Sequence, residues 1–177
     1  MASFVNRVVG AARLDVRTYE EIEADTTATP QAMGVVALAA LAGGIGVASA
    51  GGRGVVATVV AGLVGWVAWA ALVWLVGAKL LPEPQTRADI GQLLRTLGFA
   101  ASPGLLLVLR ILPLVGGLLA FLVWIWQLAA TVVAVRQALD YKGTGRAIAV
   151  CLIGWVAYIV LSLGVALMTG ITRVDLG

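Results

Sequence analysis

The chain has no histidine, a single cysteine and few charges: twelve basic and nine acidic side chains in 177 residues. Without histidine it lacks the commonest ligand for zinc, haem iron and chlorophyll-type magnesium, and the commonest general base near neutral pH. Cys151 has no second cysteine to pair with, so an internal disulfide is excluded, and its apolar neighbours predict a buried, inert thiol. There is no Walker A loop and no nucleophile set beside a histidine. "GTGRA" at Gly143 to Ala147 lacks a preceding strand and reads as a turn. "GGIG" at Gly43 to Gly46 lies in an apolar run, where glycine suits close helix contact rather than phosphate binding. The net charge of +3 is spread among connecting segments, whereas nucleic-acid binding needs one basic patch with exposed aromatics. No enzyme activity, cofactor, metal or nucleic-acid partner is therefore expected.

What remains is hydrophobic. Apolar residues make up 61% of the chain and charged ones 12%, against about 45–50% and 25% in soluble domains. The excess is organised in runs long enough to cross a bilayer, about 20 residues per helix. This pattern predicts an all-α integral membrane protein. No apolar h-region precedes the first charges, so no cleavable signal peptide is expected.

Residues 1–30 read as a cytoplasmic region: an amphipathic helix over 4–19, then an acidic linker with Glu20, Glu21, Glu23 and Asp25. Val5, Val9, Ala12, Val16 and Tyr19 share one side of that helix, and Arg7, Arg13 and Arg17 point elsewhere. It can lie in the headgroup layer or pack on the protein's own loops. Residues 31–169 form the five-helix membrane domain, and 170–177 a short external tail. The first span is expected at about 31–50, a "GGRG" turn at 51–54, and the second span at about 55–81. A short surface helix follows over 86–97, with Ile90, Leu93, Leu94 and Leu97 on one face.

From Phe99 to Leu139 there are about 40 residues with little polarity. One helix of that length would measure about 60 Å, twice the hydrocarbon core, so the stretch must fold back. Pro113, Gly116 and Gly117 place the turn, giving a third span up to about 112 and a fourth from 117 to 138 as a tight hairpin. The hairpin either crosses fully or re-enters. The fifth span runs from 146 or 147 to 168. With the N-terminus in the cytoplasm, Arg7, Arg13, Arg17, Lys79, Arg87, Arg95, Arg136, Lys142 and Arg146 fall inside, and Arg53 and Arg173 outside.

Arg110 is left on neither side, within the third span. An arginine at mid-bilayer costs about 2.5–3.5 kcal/mol by insertion measurements, less toward the ends, and a long side chain can snorkel to water or a lipid phosphate. Alternatives are carbonyls freed at Pro113, the nearby Gln127, or an acidic group on a partner. Every Asp and Glu lies outside the spans, and no clear internal repeat pairs the two halves, features that ion-coupled transporters usually have. Small residues recur every four positions: Ala40, Gly44 and Ala48 on the first span, Ala61 and Gly65 on the second, with Gly154 on the fifth. Such faces let helices approach closely in lipid, within this bundle or against another protein. Trp66, Trp69, Trp124, Trp126 and Trp155 fall near mid-depth rather than at the interfaces where tryptophan usually collects. They either fill grooves, the commoner role, or line a pocket for a lipid, quinone or pigment.

Three stretches carry a family resemblance: "ARLDVRTYEEIEADTTATPQA" at 12–32, "LLRTLGFAASPGLL" at 93–106, and "VWIWQLAATVVAVRQALDYKGTGRAIAV" at 123–150. Together they resemble the Yip domain (Ypt/Rab-interacting) membrane proteins in their prokaryotic form, over most of the chain. The resemblance implies five membrane segments, a cytoplasmic N-terminus and no enzymatic activity. Eukaryotic members act in transport between endoplasmic reticulum and Golgi and in membrane shaping. The Asp-Leu-Tyr-Gly-Pro-type motif that those members carry near the first span is missing here, and the link to Rab-type GTPases does not carry over with it. Abundant Ala, Gly, Val and Arg with little Lys points to a high-GC bacterial genome, hence a bacterial inner membrane.

The functional expectation is a non-enzymatic scaffold or accessory subunit that packs against other integral membrane proteins or lipids, for example at the periphery of a respiratory or photosynthetic complex. Its contacts would include Arg110, Gln127 and the basic Arg136, Lys142 and Arg146. The rival from another class is a small permease or lipid-handling transporter whose polar path passes Arg110 and Gln127.

Overall fold

The computed structural model describes residues 3–47 and 55–169. Helix α1, Phe4–Ala12, starts at Ser3, whose Oγ accepts the Asn6 N–H. It ends where Leu14 takes a left-handed backbone (φ 62°), and Asp15 caps a new helix, α2 (Val16–Ala24), by accepting the Thr18 N–H. The single helix expected over 4–19 is thus two helices folded against each other. The close approach depends on Gly10, where a Cβ would collide with the Thr18 side chain. The fold also inverts part of the expected stripe: Arg7 is buried, while Val5, Val9 and Val16 are exposed. Tyr19 and Ile22 are fully buried and carry the apolar contact instead.

Helix α3 is Thr29–Val47, and α4, Val55–Trp74, runs on into a π-helical turn at Leu75–Leu80. Helix α5, Ile90–Ala100, opens with a reciprocal cap: Asp89 accepts the Gln92 N–H, and the Gln92 side chain accepts the Asp89 N–H. After Ala101 the chain tightens into a 3₁₀ helix, Ser102–Ile111. The expected surface helix over 86–97 is therefore the first half of the third membrane segment. It is not on the surface, because the α1–α2 hairpin and α3 cover it and bury Leu93, Leu97 and Phe99. Leu114 (φ 69°) makes the hairpin turn. Gly116 is required there, since a Cβ would meet the Arg110 carbonyl. Helices α6, Gly116–Ala138, and α7, Thr144–Thr169, complete the described residues.

No strand occurs among the described residues. Among the described residues five segments are long and apolar enough to cross a membrane: Thr26–Ile45, Val56–Leu80, Ile90–Ile111, Gly116–Ala138 and Thr144–Gly164. The third is the most buried and forms the centre of the bundle. Helix α3 runs parallel to it, with Ala32 against Gly98, Ala39 against Gly104, and Leu107 against Gly43. Helix α4 returns antiparallel to α3 and is flanked by α7. The small residues at each crossing let backbones approach in lipid, where packing rather than water drives association.

Candidate functional site

Apart from Arg110, the charged side chains of the described residues gather at one end of the bundle, and most bond inward. The buried Arg7 guanidinium reaches Glu21 at 2.9 Å, Asp25 at 2.6 Å and Gln31 at 3.2 Å, which ties α1 to α2 and to the start of α3. Arg95 on α5 donates to the carbonyls of Ile22 and Glu23. The 81–89 and 139–146 connections are joined by Thr86 to the Leu139 carbonyl, by the Lys142 N–H to Glu83, and by Arg146 to the Pro82 carbonyl. Arg136 donates to the Tyr141 and Lys142 carbonyls. Two carboxyls here are displaced in opposite directions. Asp25 is held down to about 2, first by the Thr27 hydroxyl and then by Arg7. Glu23 is pushed up to about 7, first by desolvation and then by the charge of Asp140.

Above this layer lies a cavity of about 660 Å³ bordered by α4, α6 and α7, with α3 and α5 at its back. Its walls carry Trp66, Trp69, Trp124, Trp155 and Tyr158. Trp69 and Tyr158 meet edge to face with centroids 6.3 Å apart, and Trp124 and Trp155 lie 6.1 Å apart. Trp124, Leu128, Leu152 and Trp155 are exposed, so the cavity opens sideways between α6 and α7. The Trp66 indole N–H is satisfied by the Leu94 carbonyl, and the Thr131 hydroxyl by the Gln127 carbonyl. The Gln127 amide and Tyr158 hydroxyl line the cavity and make no hydrogen bond among the described residues. Among those residues no three His, Cys, Asp or Glu side chains are grouped to hold a metal ion.

The candidate residues fall in three places. Arg136, Lys142 and Arg146 meet around the α6–α7 connection, where Arg146 also lies over the Tyr141 ring. Gln127 lines the cavity beside Gly104, while Arg110 is exposed at the far end of the 3₁₀ helix and makes no polar contact among the described residues. Six 3₁₀ residues separate Gly104 from Arg110, about 12 Å along the axis, so the structure does not join Arg110 and Gln127 in one path. Ala40 packs on Gly62, Gly44 on Thr58, Gly65 on Tyr158 and Gly154 on Trp69. Ala61 is exposed, its neighbour Gly62 making the contact, and Ala48 lies outside the described residues, as do the 51–54 turn, Arg53 and Arg173. Of the five mid-depth tryptophans, four line the cavity; Trp126 instead donates to the Ala12 carbonyl and anchors the N-terminal hairpin. Tyr158 and Thr131 are cavity residues that the sequence did not single out. The only signal for them was polarity within an apolar run, and Thr and Tyr are common enough there to pass unnoticed.

A family model described as the Yip1 domain matches residues 17–166. No curated protein and no solved structure matches the chain.

Proposed function

Taking as premise that the chain belongs to the Yip1 domain family and is a multi-pass membrane protein, we propose that it works by binding, as a non-enzymatic scaffold or accessory subunit. One observation carries this reading. At the charged end the guanidiniums of Arg7, Arg95, Arg136 and Arg146 engage carbonyls and carboxylates of the protein itself. Their work is to lock the N-terminal hairpin and two connections into a fixed platform rather than to surround a reacting group. Arg13, Arg17, Glu20, Arg87 and Lys142 remain exposed on that platform and supply charges for a partner protein or for lipid headgroups. The basic excess on this side supports a cytoplasmic orientation for it, and the composition favours a bacterial inner membrane.

The test is extraction from native membranes in a mild detergent, followed by sizing and mass spectrometry of co-migrating chains. A stoichiometric companion is expected. Migration alone, combined with transport activity abolished by Arg110→Leu in a folded protein, would favour the permease reading and overturn this one. A scaffold tolerates Arg110→Leu and loses its companion on Gly44→Leu or Gly65→Leu, which push helices apart where Thr58 and Tyr158 lie 3.1 and 3.2 Å from a Cβ position.

A further inference from the structure

The cavity between α6 and α7 asks for a ligand of its own, independent of any protein partner. Two features define what fits. First, no charged side chain among the described residues lines it, which leaves a buried phosphate without a counter-charge. Its walls offer the Cys151 thiol, one phenol and indole faces, on which an ammonium could stack but would offer no acceptor to the two donors that follow. Flat rings bind such walls through offset or edge-to-face contacts worth about 0.5–1.5 kcal/mol beyond burial. Second, the Gln127 amide and the Tyr158 hydroxyl, both donors, lack a partner among the described residues. Unmet polar groups at membrane depth are costly, because no water is there to satisfy them.

The two donors lie at nearly the same level. Gly104 touches both Ala39 and Gln127; Gly62 touches Ala40; and Gly65, three residues along α4, touches Tyr158. That spacing sets Gln127 and Tyr158 within about one helical turn of each other along the bundle axis. An acyl chain would fill the volume but leave both donors unmet. A neutral ring carrying carbonyl oxygens would stack on the indoles and accept from both. Pockets of about 300–1,000 Å³ hold ligands of this size, and the sideways opening admits one that arrives dissolved in the bilayer with its tail still in lipid. We propose that this cavity is a binding site for a neutral ring lipid with carbonyl acceptors, of the prenylated quinone type, held between the tryptophans by Gln127 and Tyr158.

The probe is a short-tailed benzoquinone titrated against the full chain, carrying Cys151→Ser so that no thiol in the cavity can add to the quinone, in phosphatidylcholine nanodiscs and read by quenching of tryptophan fluorescence. Saturable quenching near one quinone per chain is expected. Gln127→Leu and Tyr158→Phe should each weaken it by roughly three- to tenfold, the value of one hydrogen bond, while Arg110→Leu leaves it unchanged. Gln127→Leu removes the amide oxygen and nitrogen and Tyr158→Phe the hydroxyl, neither adds bulk, and melting curves check that each bundle stays folded. Quenching that never saturates, or saturates equally in the Cys151→Ser parent and both variants, would reduce the effect to partition into the bilayer and overturn the proposal. Displacement of the quinone by a fatty-acid methyl ester at equal concentration would assign the cavity to acyl chains and overturn it too. Solvent extraction of protein purified from native membranes gives a second reading, in which a ring lipid near one per chain supports the site and phospholipid alone refutes it.

Discussion

At the scale of single residues, the N-terminal hairpin depends on ionised groups whose environments pull in opposite directions. Glu23 sits half-buried where α2 meets α5, accepting from Gln92 Nε2 at 3.1 Å, and its value of about 7 lies above the ordinary one. A raised carboxyl favours the protonated form in the docked state. Docking is then firmest below the ordinary value near 4.5 and weakens as pH rises through about 7. With Glu23 half exposed to water, the screened loss is about 1 kcal/mol. Asp25 acts oppositely: its contribution is present above the ordinary carboxylate value and is lost as pH falls toward 2. Docking should therefore be firmest between about pH 4 and 5. The distance between spin labels at Arg17 and Arg87 measures it, and Glu23→Gln should flatten the limb above pH 5 while leaving the acid limb. Arg7→Leu removes the cation that Asp25 faces at 2.6 Å. Losing one partner of a buried pair costs about 3–5 kcal/mol. Glu21 is 41% exposed, which brings the expected loss to about 2 kcal/mol, seen as faster proteolysis within residues 3–28. None of this was legible in the sequence, where Arg7 fell on the polar side of a helix presumed continuous. The signal that could have broken that helix was Asp15 three residues before Thr18, an N-cap pattern.

At the scale of elements, the crossing of α3 with the third membrane segment brings two helix backbones into close contact. A Cβ on Gly98 would lie 2.7 Å from that of Ala32 and 3.2 Å from its backbone, so even Gly98→Ala has nowhere to go. Overpacking of this kind costs about 1–3 kcal/mol. Gly34 faces open space in the same helix pair, and Gly34→Ala should be neutral or gain up to about 1 kcal/mol from helix propensity. Thermal unfolding of the two variants in one detergent compares them directly, and equal melting temperatures would show that this crossing has room for a methyl group. Gly44 and Gly65 were readable because each belongs to a four-residue repeat on one regular helix. Gly98 and Gly104 were not, because the segment changes from α to 3₁₀ between them and a 3.6-residue period no longer tells which side chains share a face. The same change hid the true start of the third segment at Ile90. Its Asp89–Gln92 cap marked a helix start that the sequence assigned to a surface element.

At the scale of the whole molecule, composition and run length were enough to read five membrane segments, since those follow from the cost of backbone polar groups in lipid rather than from any detail of packing. The cavity was not readable, because whether an indole fills a groove or borders one depends on how far α6 and α7 splay. The lengths of the third and fourth segments bear on whether they cross the bilayer or re-enter it. Eleven α residues followed by ten 3₁₀ residues rise about 36 Å, because the 3₁₀ half gains about 2.0 Å per residue, and α6 with 23 residues rises about 34 Å. Both exceed the roughly 30 Å hydrocarbon core, and Leu114 at their turn is fully exposed. The turn should therefore reach the face opposite the charged platform. In a Cys151→Ser background, single cysteines at Arg17, Arg87 and Lys142 should react with an impermeant maleimide from the cytoplasmic side only. Leu114→Cys should react from the other side only. Labelling of Leu114→Cys from the same side as Lys142→Cys would make the pair a re-entrant hairpin, with Arg110 buried in the bilayer rather than lifted to the far headgroups.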